Sequence, residues 1–162
     1  MADEPRELPP HHPNCLGCGP DNPGSLGLRL AIDGERVTGE VTLDERHQGA
    51  PGFAHGGAVA TALDDTLGTL LVVLGQPGVT ASLEVNYRRP AFLGRRFRLD
   101  AEVERIEGRK IHMTARMRDD GDVVAEARAL FIQVEPDHFL QTGAVPREWT
   151  EHWWREGRQL PY

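Results

Sequence analysis

The residues best suited to chemistry lie in one run, His55-Gly56-Gly57-Ala58-Val59-Ala60-Thr61-Ala62-Leu63-Asp64. Two glycines at a helix start leave backbone N–H groups uncovered by side chains, and the first N–H groups of a helix have no partner inside it. The helix dipole makes that end attract negative charge, so the backbone of Gly56 and Gly57 can hold an oxyanion. His55 falls near the N-cap, within reach of a water or a ligand. Asp64 sits mid-helix, where Asp is a poor former. At about 100° per residue it borders an apolar stripe, with Ala60, Leu67 and Leu71 as helical neighbours. A carboxylate beside apolar surface is desolvated and its pKa rises, as suits a general base or nucleophile. Taken alone, a mid-helix Asp is more often a solvated surface residue. Asp65, its neighbour, points toward the small, polar side with Thr61 and Thr69.

Asp64 follows His55 by nine residues. Nine steps of about 100° put the two on opposite sides of the helix and about 13 Å apart along its axis. One helix cannot bring both to one reacting carbon. If both serve one site, two copies of the helix must combine, which predicts a twofold homodimer with two equivalent composite sites.

The elements that position these residues follow from periodicity. Gly56 to Leu74 is the one long segment without Pro or sustained alternation, and Val59, Leu63, Leu67, Leu70, Leu71 and Leu74 cluster on one side of a helix. Gly75 marks its stop, with Pro77 just beyond. Before it, Leu26–Ile32 reads as a strand, Asp33-Gly34 as a hairpin turn and Arg36–Leu43 as a second strand. After it come four more strands. Val79, Ala81, Leu83, Val85 and Tyr87 share a face of the first, Phe97, Leu99, Ala101 and Val103 of the next, and Ile111, Met113, Ala115 and Met117 of the third. Asp120-Gly121 is a turn, and residues 123–134 form the last strand. The expected class is α+β: one long helix packed on an antiparallel sheet. Residues 1–25 form an irregular arm, 26–135 the domain, and 136–162 an extension in which Trp149 and Trp153 share the face of a short helix.

At 162 residues the chain fits one domain with a tail at each end. A net charge of −7 argues against nucleic acid as the main partner. No run approaches the roughly 18 to 20 apolar residues of a membrane span, and residues 1–10 lack the apolar centre of a secretory signal. A cytoplasmic protein without a membrane partner is expected. Cys15 and Cys18 form a C-x-x-C, but a structural zinc site needs four ligands and there is no second such pair. His11 and His12 lie near, yet their spacing is not that of known finger patterns. A redox pair would sit at a helix start after a strand, whereas these lie among Pro, Gly and Asn. The expectation is a tight loop with reduced thiols, no metal and no cofactor.

Four segments together resemble the hotdog-fold thioesterases of the phenylacetate-pathway (PaaI-like) and human thioesterase-superfamily type. They are Pro51-Gly52-Phe53-Ala54-His55-Gly56-Gly57 running on to Asp64, Gly78 to Pro90, Glu107-Gly108-Arg109-Lys110, and Cys15-Leu16-Gly17-Cys18-Gly19-Pro20-Asp21-Asn22-Pro23. They cover residues 15–135 in order. The resemblance implies an acyl-CoA thioesterase whose dimer joins two sheets edge to edge; whether such dimers pair again into a dimer of dimers stays open. It makes Asp64 the base or nucleophile and Gly56 the oxyanion donor from the other subunit, with Gly57 nearby. It gives Thr80 a part in placing the attacking water and His55 a part in positioning the thioester or water. Gln48 is the nearest match to an amide that some members carry before the His. Asn86, Arg88, Arg89, Gly108, Arg109 and Lys110 make up the substrate-binding set, with the basic residues facing the CoA phosphates, although such charges are as often simply solvated. Two other readings stay open: a hotdog hydratase or dehydratase, and a non-catalytic acyl-CoA-binding module.

Overall fold

A computed structural model of the chain describes residues 4–141 and 143. The elements run β1 (Arg6–Leu8), β2 (Arg29–Asp33), β3 (Arg36–Thr42), α1 (Gly56–Leu74), β4 (Gly78–Tyr87), β5 (Arg96–Glu107), β6 (Lys110–Asp119), β7 (Asp122–Gln133) and α2 (Asp137–Leu140). All seven strands join one antiparallel sheet in the order β1-β2-β3-β5-β6-β7-β4. The helix packs across one face of it, the hotdog arrangement.

The α1 boundaries agree with the periodicity. Gly75 closes the helix in the left-handed conformation, at φ 61°, and its N–H returns to carbonyls of the last turn. Val59, Ala62, Leu63, Thr66, Leu67 and Leu70 are buried on the sheet side. By length and composition this helix would be apolar enough to cross a membrane, contrary to the sequence expectation. Its apolar stripe is instead spent on the sheet.

Register explains how the helix lies so close. Val37, Ala101, Ala115, Ala127 and Val85 form one row across β3, β5, β6, β7 and β4. Three small residues in the centre of that row make room for the helix backbone. The next row toward one end holds Leu99, Met117, Ala125 and Tyr87, and at the other end Ile111, Phe131 and Thr80 align. Gly68 of α1 sits over the Phe131 ring, with a would-be Cβ at 3.8 Å.

Strand β4 departs from the simple alternation. A bulge between Thr80 and Ser82 leaves Ala81 without a cross-strand partner. The extra residue shifts the phase of the pleat, so Thr80 faces the helix together with Leu83, Val85 and Tyr87. Uniform alternation would have put Val79 and Ala81 there instead.

Two other expectations change. The first strand begins at Arg29, not Leu26, because Gly27 takes φ +66° and the N–H groups of Leu26 and Leu28 bond to Leu16 and Gly17 in the arm. The arm is not wholly irregular: β1 pairs with β2 along the sheet edge. The tryptophan-bearing segment lies outside the described residues.

Leu67 has no exposed surface, whereas Leu74 at the helix end is only partly buried. Leu67→Ala should therefore destabilise the fold by about 2–5 kcal/mol, and Leu74→Ala by clearly less, as read by urea denaturation with an unchanged m-value. Equal losses would mean that α1 does not lie on the sheet as described.

Candidate functional site

The loop before α1 is braced at both ends. His47 is buried; its Nδ1 accepts the Asp44 N–H at 3.1 Å and its Nε2 donates to the Ser25 carbonyl at 3.1 Å. The His55 N–H donates to the His47 carbonyl at 2.7 Å and the Ala54 N–H to Ala91 at 2.8 Å. Gln48 is exposed, and its Oε1 accepts the Gly52 N–H at 3.0 Å, which ties the loop to itself. Its amide thus has a local structural partner.

His55 is the N-cap itself. Its Nδ1 accepts the Gly57 N–H at 2.8 Å, so the neutral ring carries its proton on Nε2, which faces outward on an exposed side chain. That bond occupies Gly57. The Ala58 and Val59 N–H groups bond to the His55 carbonyl, and among the described residues the Gly56 N–H finds no acceptor. Of the two glycines, Gly56 holds the free donor. Tyr87 then latches this end of the helix to the sheet: its hydroxyl donates to the Gly56 carbonyl at 2.8 Å, and its ring lies where a side chain at 56 would begin. An open groove of about 430 Å³ runs past Phe53, Gly56, Tyr87 and Arg88.

Asp64 is half-buried on α1 and faces β4. Its Oδ1 accepts the Thr80 hydroxyl at 3.1 Å. Burial pushes its carboxyl above the ordinary carboxylate value, and the Thr80 hydrogen bond pulls partly against that. Asp65 has a different environment. It does not point to an open polar side; it packs against the arm, with Cys15 Sγ at 3.7 Å and His11 Nδ1 at 3.9 Å. Burial first, then the negative Cys15, raise its carboxyl to about 6. The larger perturbation thus falls on the carboxylate enclosed by the arm, while Asp64 stands next to the free strand.

The two predicted halves are therefore apart. Gly56 and Asp64 are eight residues apart, which is about 12 Å along the helix. Thr80 and Tyr87 mark the same two ends on β4. Tyr87 and the buried His47 were not singled out by sequence reasoning. The partner of Tyr87 is a carbonyl set by helix–sheet docking, which no spacing in the chain encodes.

The binding set divides likewise. Arg88 pairs with Glu126 at 2.8 Å and Arg89 with Asp122 at 2.9 Å, both exposed, near the Gly56 end. Arg109 Nε donates to the Gln133 carbonyl at 3.0 Å, beside Gly108 at φ +60° in the β5–β6 turn. Lys110 aligns with Ile132 and Val79, which puts it at the Thr80 end of the sheet. Asn86 bonds Glu84 at 3.1 Å on the sheet face away from α1.

Comparison with known proteins gives a consistent assignment. The Thioesterase superfamily model matches residues 51–126. Over 91 residues the chain is 44% identical to Acyl-coenzyme A thioesterase THEM4 of Xenopus laevis, which covers 55% of this chain and 41% of that protein. The chain thus spans about two-fifths of that relative's length. Against the Acyl-coenzyme A thioesterase 13 of Homo sapiens it is 31% identical over 110 residues, or 65% of this chain and 77% of that protein. A crystal structure of a thioesterase superfamily protein superposes with a TM-score of 0.69 at 34% identity, over 74% of this chain and 60% of that one. With its hotdog architecture, its glycine-led helix and its half-buried carboxylate, this chain belongs to the thioesterase superfamily.

Proposed function

We propose that the chain hydrolyses acyl-CoA thioesters as a homodimer, each site built from both subunits. The carrying observation is the placement of two halves at opposite ends of one edge strand, whose outer side has no partner among the described residues. Strand β4 carries at one end Thr80, bonded to Asp64 of α1, and at the other Tyr87, bonded to Gly56 of α1 with its free N–H. If two copies of β4 pair antiparallel about a twofold axis, the Gly56 end of one meets the Asp64 end of the other. Exposed Phe53, Phe92 and Tyr87 border the Gly56 end, an apolar surface suited to cover by a partner or an acyl chain. The same pairing brings Arg88 and Arg89 of one subunit toward Arg109 and Lys110 of the other, a basic rim for the CoA phosphates. The relatives named as acyl-coenzyme A thioesterases support this substrate class.

In the reaction, the Asp64 carboxylate takes a proton from a water that Thr80 helps place, and the oxygen attacks the thioester carbonyl carbon. The carbonyl oxygen becomes an oxyanion and accepts the Gly56 N–H of the partner. Collapse breaks the C–S bond, and the proton on Asp64 passes to the leaving thiolate. The products are a carboxylic acid and free CoA thiol. The Nε2–H of His55 is a further donor for positioning the thioester. No metal or organic cofactor enters these steps.

Three outcomes test this. Asp64→Asn should lower turnover on acyl-CoA by at least about 10²-fold with acyl-CoA binding retained, as read by thiol release and calorimetry. Near-normal turnover in that variant, with loss in Asp65→Asn, would reverse the assignment.

The pH profile carries a sign. The base must be ionised, so activity falls as pH drops through the raised Asp64 pKa. Thr80→Val removes a bond that favours the ionised form, and the acidic limb should move to higher pH. A limb that stays in place or moves down would detach Thr80 from the base.

Complementation tests the shared site. Asp64→Asn and Gly56→Val chains, each inactive, should regain roughly a quarter of wild-type activity when refolded together, since half the dimers are mixed and half their sites are intact. Mixed dimers that form and stay inactive would place the site within one chain.

A further inference from the structure

Outside the thioesterase site, four ligand-type side chains converge where the arm meets α1. The ligating atoms of His11, Cys15, Cys18 and Asp65 all lie within 4.8 Å of one another. Cys18 Sγ is 3.1 Å from His11 Nδ1, Cys15 Sγ is 3.7 Å from Asp65 Oδ1, and His11 Nδ1 is 3.9 Å from the same oxygen. In a tetrahedral zinc site with bonds of about 2.0–2.3 Å, neighbouring ligand atoms stand about 3.3–3.8 Å apart. The observed separations bracket that range.

We propose that His11, Cys15, Cys18 and Asp65 bind a structural zinc ion that clamps the N-terminal arm to α1. The sequence offered Cys15 and Cys18 with His11 and His12 beside them, at a spacing that matches no familiar finger. Folding supplies Asp65 from 50 residues beyond Cys15. His12 is not part of the set, because its Nδ1 accepts the Asn14 N–H at the exposed surface.

The loop around the cluster is shaped for it. The Gly17 N–H donates to Cys15 Sγ at 3.2 Å, a bond that favours a thiolate. The Gly19 N–H closes the turn on the Cys15 carbonyl at 2.9 Å. A Cβ at Gly17 would stand 2.3 Å from Asp65 Oδ2, and one at Gly19 would stand 2.3 Å from the Cys15 nitrogen. Both glycines are thus needed for close approach, the first of them to admit the Asp65 carboxylate to the cysteine pair. Cys18 is buried at 8% exposure, and the Asp65 side chain is 16% exposed. With an ion bound, two thiolates and a carboxylate would share it, and the cation's charge would offset their repulsion. Sulfur and imidazole donors select zinc over magnesium or calcium. Four protein ligands leave no open position, so the ion would be structural and not a source of activated water.

The purified chain, loaded with Zn²⁺ and desalted, should hold about one equivalent per chain, with an X-ray absorption shell of two sulfurs at about 2.3 Å and two lighter atoms at about 2.0 Å. Co²⁺ in its place should show thiolate-to-metal charge transfer and the strong visible bands of a tetrahedral ion. Stripping the metal should lower Tm by at least about 5 °C, and Zn²⁺ should restore it. Cys18→Ser and the nearly isosteric Asp65→Asn should lose the ion, while Asp64→Asn keeps it. Wild-type chain that holds less than about 0.1 equivalent after loading, or a shell without sulfur, overturns the site. So does full retention of zinc by Asp65→Asn together with Cys18→Ser. Metal content and absorption are read without any thioester, so they stand or fall separately from the hydrolase reading.

Discussion

A carboxylate held half in the core, on the helix that packs across the sheet, is the constraint on which this architecture turns. Asp64 gains no ion-pair partner among the described residues, only the Thr80 hydroxyl. Desolvation is therefore countered only by that hydrogen bond, and it raises the carboxylate's basicity at a cost to folding. The sheet is arranged to make this tolerable. Alanines at 101, 115 and 127 let α1 lie low, and the bulge at Ala81 turns Thr80 inward while keeping Leu83 and Val85 on the core side. Without that phase shift, Asp64 would meet a strand residue with no hydroxyl.

On the proposed reaction, the same strand explains why one chain alone would be incomplete. Among the described residues strand β4 has a neighbour on one side only, and much of its surface is exposed. A ten-residue open edge is a liability that folds usually cover or blunt. The proposed twofold pairing would cover it and would also close the distance between the Gly56 donor and the Asp64 carboxylate that helix geometry imposes. Stability of the edge and assembly of the site would then be one event.

Much of this was legible in the chain, and what was not has identifiable causes. Helix α1 was readable from its stripe and its Gly75 stop, and the opposition of His55 and Asp64 followed from the turn angle alone. Local rules also found the hairpin turns at Gly34 and Asp120-Gly121. The bulge in β4 was hidden, because an alternating run of Val79, Ala81, Leu83, Val85 and Tyr87 satisfies the simpler pattern and a bulge shows only in pairing register. The division between Gly56 and Gly57 was hidden too: it depends on which N–H the His55 ring covers. Arg88 and Arg89 looked like free cations because their partners, Glu126 and Asp122, come from a strand more than 30 residues away.

The least legible feature was the work given to Asp64 and Asp65, which are adjacent and chemically identical. One step along a helix rotates a side chain by about 100°, enough to send the first to the open sheet edge and the second to the arm. There the same carboxylate meets a hydroxyl in one case and two sulfurs with an imidazole in the other. Their order cannot be exchanged. On the two proposals, an Asp facing the edge would need freedom to accept and release a proton, whereas one facing the cysteines would have to stay ionised and bound. The arm contact also opposes rotation of α1 about its axis, so Asp65 helps keep Asp64 aimed at Thr80. On this view the arm acts about 100° round the helix from its own cluster, by limiting how far the Asp64 carboxylate can turn from β4.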